Sequence, residues 1–245
     1  MKQQTGKLYG IGVGPGDPDL LTLKAVKVLQ RVTAVFTAAS TKNDYSLALE
    51  IARPHIPPEA RLQTLAFPMT QESAAKQAAW GANADVVVGY LKQGHDAAFL
   101  TLGDSLTFST FGYLLREIAV RYPEVVVETV PGITSYQASA AALNMPLVEG
   151  EESLLVLSGA RGGDRLREQK IKPDNVVFMK AYRNVPSICA ALEEAGMLGN
   201  AAGVVRCSRP EEELIRDVSA LSDRQPNYWT LILAKRNGWH GTPQD

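Results

Sequence analysis

Leu8-Tyr9-Gly10-Ile11-Gly12-Val13-Gly14-Pro15-Gly16-Asp17-Pro18 decides the fold: an apolar run breaks into a glycine-proline turn and then into a capped helix start. Glycines at alternate positions leave one face of the strand end without side chains, so another backbone or a flat ligand can come close there. Pro15-Gly16 forces a turn, and Asp17 before Pro18 predicts an N-cap with proline in the first helical position.

Working outward, the alternation continues. Leu20, Leu21, Ala25, Val28, Leu29 and Val32 recur at helical spacing with Lys24, Lys27 and Gln30 between them, the pattern of a helix laying one face on a sheet. Strands are expected over 32–38, 61–67 and 96–102, and helices over 45–53, 71–93 and 108–121, with Pro54, Gly94 and Pro123 as stops. The strands are almost continuously apolar, which predicts an α/β fold with a mainly parallel sheet covered on both faces. Beyond Tyr122-Pro123 the pattern restarts with a strand over 125–130, the turn Pro131-Gly132 and a small-residue helix over 133–143. A boundary is therefore expected within 121–124, between an N-terminal α/β domain (1–121) and a C-terminal one (122–240) followed by a loose tail (241–245). In the second half, strands are expected over 154–157, 176–179, 203–206 and 228–234, with helices near Arg165, over 185–195 and near Glu211. The last strands lie too close in sequence for parallel crossovers, which predicts a mixed sheet there.

The composition excludes several function classes. Lys plus Arg number 25 against 26 Asp plus Glu, so no overall basic field draws the chain to nucleic acid or anionic lipid, and any anionic ligand must be met locally. No signal-peptide core opens the chain and no run reaches the roughly 18 to 20 apolar residues of a membrane span, so a cytoplasmic location is expected. Cys189 and Cys207 lack metal-site spacing and read as reduced core residues, while His55, His95 and His240 are too scattered for a metal site.

The glycine turn invites a dinucleotide reading, which the count rejects. From Gly10 the sixth position of GxGxxG is Pro15, and from Gly12 it is Asp17, where the fingerprint needs a glycine for close helix packing. GxxxxGK[ST] is absent as well. The turn is not alone, however: Gly103-Asp104-Ser105 and Pro131-Gly132-Ile133-Thr134-Ser135 also follow apolar strands, and in an open parallel sheet such strand ends share one crevice. Asp104 suits a cationic ligand or one with amine and hydroxyl donors, and a carboxylate directly after a buried strand must find a partner. Thr134 and Ser135 offer hydroxyls at a helix start, where capping is the competing role.

GIGVGPGDPDLLTLKAVKVL over 10–29, TLGDSLTFSTFGYLL over 101–115 and VPGITSYQASAAAL over 130–143 together resemble the tetrapyrrole (corrin and porphyrin) methyltransferases, with the second segment most like the branch acting at C20 of precorrin-2. The resemblance implies a homodimeric enzyme that binds S-adenosylmethionine in a trough between two α/β domains and methylates precorrin-2 or cobalt-factor II. It places Pro15, Gly103, Asp104, Thr134 and Ser135 on three cofactor-side loops, with Met179, Tyr182, Gly203 and Thr230 completing the pocket, and no metal ligands. Asp104 is the candidate for removing the ring proton after methylation. Ser105 departs from the proline usual after Gly-Asp in this family. Arg161, Arg165, Lys180, Arg206 and Arg209 are available for the substrate's carboxylates. Two alternatives stay open: a sister enzyme acting at another ring position, and a cofactor-binding module without turnover.

Overall fold

The computed structural model describes residues 5–39, 46–68, 70 and 72–238, and its elements divide into two compact units, 1–134 and 135–245. The expected helix starts at Tyr45 and Gln71 and the expected tail over 241–245 lie outside the described residues.

In the first unit the strands are β1 (Leu8–Gly12), β2 (Ala34–Ala39), β3 (Arg61–Ala66), β4 (Ala97–Thr101) and β5 (Val127–Val130), all parallel in the order β3-β2-β4-β1-β5. The helices between them are α1 (Leu23–Leu29), α2 (Leu47–Ala52), α3 (Ser73–Leu91) and α4 (Phe111–Arg121). Alternation along the strands feeds two cores. Tyr9, Ile11, Val35, Ala98 and Leu100 face α1 and α2, whereas Leu8, Phe36, Ala97 and Phe99 face α3 and α4 through Val87, Leu91, Phe111 and Ile118. This is the doubly covered parallel sheet that the apolar strands predict.

Local chemistry sets the element ends. Asp17 caps a short 3₁₀ turn over Pro18–Leu20, its Oδ1 accepting the Asp19 N–H at 2.9 Å, and Thr22 then caps α1 by accepting the Ala25 N–H at 3.2 Å. Helix α4 starts three residues later than expected from the sequence because Phe108 is left-handed, with φ +49°, and the Ser109 hydroxyl accepts the Gly112 N–H. The expected boundary at 121–124 also moves. Val127–Val130 pairs in parallel with β1, with Ile11 opposite Val130, so the segment after Pro123 completes the first sheet and the division falls at Thr134.

The second unit holds α5 (Ser135–Ala142), β6 (Leu154–Ser158), α6 (Asp164–Arg167), β7 (Asn175–Met179), α7 (Val185–Glu194), β8 (Ala201–Val205), β9 (Glu213–Ile215) and β10 (Thr230–Lys235). The strand order is β6-β7-β10-β8-β9, mixed as expected: β10 runs antiparallel to β7 and β8, and β6 parallel to β7. The helix expected near Glu211 is instead a turn leading into β9, which pairs antiparallel with Gly203–Val205. Ser208, at φ +60°, donates its N–H to Glu212 Oε2 at 2.6 Å and closes that turn. Val176 and Phe178 pack on α7, while Val177, Leu231 and Leu233 pack toward α5. Cys189 and Cys207 are free and buried, and burial pushes both thiols up.

Candidate functional site

The three loops meet in the first unit through their glycines. Gly14 and Gly103 exchange backbone hydrogen bonds, 3.1 Å from Gly14 N to Gly103 O and 2.7 Å in return. Both are left-handed, at φ +80° and +73°, a conformation that excludes most side chains. A Cβ on Gly12 would lie 2.6 Å from both Gly103 O and Gly132 N, and one on Gly132 would lie 2.7 Å from Gly12 C and directly on Gly103 O. The bare strand end that could have admitted a flat ligand is therefore filled from within. At Gly10 the occupant is the Phe111 ring, and at Gly12 it is the backbone of the other two loops.

Asp104 ties this junction together. Its Oδ1 accepts from the Leu106 N–H at 2.9 Å and from the Thr107 hydroxyl at 3.1 Å, and its Oδ2 accepts from the Gly132 N–H at 3.2 Å. Three donors occupy most of the roughly four lone-pair sites of a carboxylate. The partner that burial demanded is thus the neighbouring loop, and the geometry suits positioning better than proton removal. Around it, Pro15 and Thr134 are buried and Ser135 is the first residue of α5. Ser105 is fully buried, and its hydroxyl, like that of Thr101 at the end of β4, has no hydrogen-bond partner, while its carbonyl accepts from the Ser109 hydroxyl. Asp104→Ala is expected to free the second loop from the third and weaken cofactor binding about tenfold, the equivalent of one charge-assisted hydrogen bond to backbone. Because the residue sits on a turn, calorimetric titration should register the loss while circular dichroism stays that of the parent.

In the second unit, β7 and β8 run parallel on either side of β10, and both end on its first turn. Ala181 N–H donates to Thr230 O at 2.8 Å, and Arg206 N–H to Trp229 O at 3.0 Å. The residue following each strand, Lys180 or Arg206, is left-handed, at φ +58° and +52°. A cavity of about 270 Å³ opens here, lined by Tyr182, Arg206, Asn227 and Thr230 among others. Tyr182 meets Tyr228 edge to face at 5.3 Å, and the Thr230 hydroxyl donates to Asn227 O at 2.7 Å.

Two of the four residues expected on this side thus share one cavity. The other two do not. Met179 points to the α5 face, opposite Phe178, and Gly203 lies within β8, where a Cβ would press on Leu221 at 3.1 Å and Ile215 at 3.3 Å. Alternation along β7 could have separated Met179 from its neighbours. Asn227, which also lines the cavity, was missed by sequence reasoning, although Gln225-Pro226-Asn227 before an apolar strand is a turn signal; Asn227 Oδ1 accepts the Trp229 N–H at 3.0 Å. Among the described residues no cluster of His, Cys, Asp and Glu could hold a metal ion, and no helix is long and apolar enough to cross a membrane.

A parallel sheet with glycine-locked loops at its carboxyl edge, followed by a mixed-sheet unit with its own polar cavity, is an α/β architecture of the kind that carries small-molecule sites at its strand ends. The sequence model of the Tetrapyrrole (Corrin/Porphyrin) Methylases matches residues 7–221, and the chain belongs to that family. It is 34% identical over 232 residues to the cobalt-precorrin-2 C(20)-methyltransferase of Salmonella typhimurium, covering 94% of this chain and 97% of that one. It is 32% identical over 248 residues to the precorrin-2 C(20)-methyltransferase of Sinorhizobium sp, covering 97% and 98%. Among solved structures, a cobalt precorrin-4 methyltransferase aligns with TM-score 0.69 at 20% identity over 94% of each chain. The uroporphyrin-III C-methyltransferase of Thermus thermophilus, complexed with S-adenosylhomocysteine, aligns with TM-score 0.67 at 23% identity over 94% and 97%. These two likenesses establish the fold.

The methyl donor of the family is S-adenosylmethionine, and the residues present fit it. The half-buried Asp104 carboxylate carries the charge to complement a sulfonium and an ammonium, and the unpartnered hydroxyls of Thr101 and Ser105 lie on the strand end and loop that would meet them. On Gly103 a Cβ direction meets only Ile133 O, at 3.9 Å, so its backbone stays open to close approach.

Proposed function

We propose that this chain transfers the methyl group of S-adenosylmethionine to C20 of precorrin-2 or of its cobalt-loaded counterpart in corrin-ring assembly. The observation that carries this reading is similarity at nearly full length to proteins named for that one ring position, in both the metal-free and the cobalt form.

S-adenosylmethionine supplies an electrophilic methyl group whose transfer to an electron-rich ring carbon is an in-line displacement. The chain's task is then to position and to exclude water, which is consistent with a site poor in titratable side chains. Pro15, Gly103 and Thr134 would form the cofactor-side wall in the first unit, with Ser135, the first residue of the second unit, next in sequence to Thr134. Tyr182 and Thr230 would line the cofactor pocket in the second, with Met179 and Gly203 shaping the strands behind it. Asp104 acts as a positioning residue, holding the second loop at the spacing the third requires. The protein works as a cytoplasmic homodimer, and light scattering at twice the chain mass is the expected result.

Incubation with S-adenosylmethionine and either metal-free or cobalt-loaded substrate tests the reading, with products examined by mass spectrometry and carbon NMR. One added methyl group at C20 is expected. A methyl group at another ring carbon would make this a sister enzyme, and binding of S-adenosylhomocysteine without turnover on either substrate would make it a cofactor-binding module.

A further inference from the structure

A sheet edge presents free backbone donors and acceptors to any other chain, and folded proteins blunt such edges with charge, brevity or a covering element. Of the four sheet edges among the described residues, three are blunted. β3 carries Arg61, Gln63 and Thr64, β5 carries Glu128 clasped by Lys7 and Lys24, and β9 is three residues long with Glu213 among them. β6 differs. Leu154-Leu155-Val156-Leu157-Ser158 holds no charge and no proline, every residue of it is half-buried, and among the described residues only β7 pairs with it.

The ladder decides which backbone groups face outward. Asn175 N–H donates to Ser153 O at 3.0 Å, and in a parallel pair alternate residues turn both backbone groups to the neighbouring strand. Ser153, Leu155 and Leu157 therefore face β7. Leu154, Val156 and Ser158 present N–H and C=O to the outside, where no described residue meets them. The flanks of the strand are oppositely charged. Glu151 precedes it and Arg161 follows it, both exposed, and among the described residues neither side chain makes an ion pair or a hydrogen bond.

An antiparallel copy of the same strand satisfies both features at once. With a two-fold axis at Val156, Leu154 pairs with Ser158 and Val156 with its own counterpart, so every outward group finds a partner. The Glu151 end of each copy then lies beside the Arg161 end of the other. A slide of two residues leaves Ser158 beyond the facing strand and separates the charges. We propose that two copies of this chain join edge to edge through β6, antiparallel about Val156, with Glu151 and Arg161 setting the register. The proposal rests on the homodimer reading and adds where the copies meet.

The experiment uses the full chain and reads the dimer dissociation constant by sedimentation equilibrium. Glu151→Arg and Arg161→Glu should each raise it about tenfold, because each sets like charges together at both ends of the paired strands. The double variant should return to within about threefold of the parent. Val156→Pro removes an outward N–H where an edge strand tolerates proline, so it should weaken the dimer about tenfold to a hundredfold while circular dichroism stays that of the parent. If that variant fails to fold, the charge reversals decide alone. Leu155→Pro strips a ladder bond to β7 instead and should melt well below the parent. Val156→Cys brings two Cα atoms to about 5.5 Å across the axis, within disulfide reach, so diamide should give a covalent dimer. The parent, whose cysteines are buried, should stay uncrosslinked. A dimer that keeps its affinity in both charge reversals and forms no covalent link through Val156→Cys overturns the β6 interface and leaves the homodimer reading standing. Losses in the single reversals without recovery in the double also overturn it. A parent that is monomeric at every concentration overturns the homodimer reading, and the interface with it.

Discussion

Gly132→Ala is expected to lower stability by about 3 kcal/mol and to weaken S-adenosylhomocysteine binding by at least about tenfold. The added methyl group would land on backbone, the Gly103 carbonyl and the carbonyl carbon of Gly12, so no side chain can swing aside to receive it. The three loops must part, and the Asp104 bond to the Gly132 N–H goes with them. Gly12→Ala meets the Gly103 carbonyl and the Gly132 backbone and should behave alike. Gly89→Ala is the control: it lies inside α3 with nothing within 4 Å of the new carbon, so it should be neutral or slightly stabilising by helix propensity. Thermal unfolding beside calorimetric titration measures both quantities. A Gly132→Ala protein that melts with the parent would show that the loops are not locked as described.

The second large effect belongs to Lys235, whose side chain is 3% exposed at the end of β10. Its Nζ donates to Pro146 O at 3.1 Å and pairs with Glu149 at 3.3 Å and Glu152 at 3.2 Å, tying the central strand to the segment after α5. Lys235→Ala removes three buried methylenes and the ammonium together. At about 0.8 kcal/mol per methylene plus the cavity left behind, the loss should be about 3 kcal/mol. Lys235→Met keeps the stem and should lose only about 1 kcal/mol. The pH dependence adds a signature. Hydrogen bonding from Asn175 and then from Lys235 holds the Glu152 carboxyl below its ordinary range. The unfolded chain therefore takes up that proton first. The contribution is complete at neutral pH and is lost as pH falls through the ordinary carboxylate range and then through the lowered folded value. Denaturant titrations at pH 7 and pH 4 should show the parent losing more stability on acidification than Lys235→Ala, and equal losses would count against the pairing.

These positions mark the limits of what could be read in advance. The doubly covered parallel sheet was legible because strands buried on both faces must be almost continuously apolar, as Leu8 to Gly12 and Ala97 to Leu100 are. The convergence of three glycine loops was legible too, from their common place after strands. What filled the space beside each glycine was not, since a missing side chain does not say whether a ligand, the Phe111 ring or another backbone takes its place. The boundary was displaced for a related reason. Tyr122-Pro123 looks like a linker locally, but Val127–Val130 pairs with a strand more than a hundred residues earlier, and sequence-local signals carry no trace of that partner. Tyr182 and Thr230 were reachable only through a resemblance, because nothing between residues 182 and 230 announces that β10 returns beside β7.

The place of β1 within its sheet bears on how the protein is made. It is the earliest strand among the described residues, and its partners there are β4 and β5, so Leu8–Gly12 stays unpaired until residues up to Thr101 have left the ribosome. At about 5–20 residues per second that wait lasts roughly 4 to 18 s, during which an apolar strand has no neighbour to bury it while β2 and β3 can already join. Growing chains of this protein are thus most exposed to aggregation through their first strand, and a solubilising change there would help synthesis most at the expense of the finished sheet.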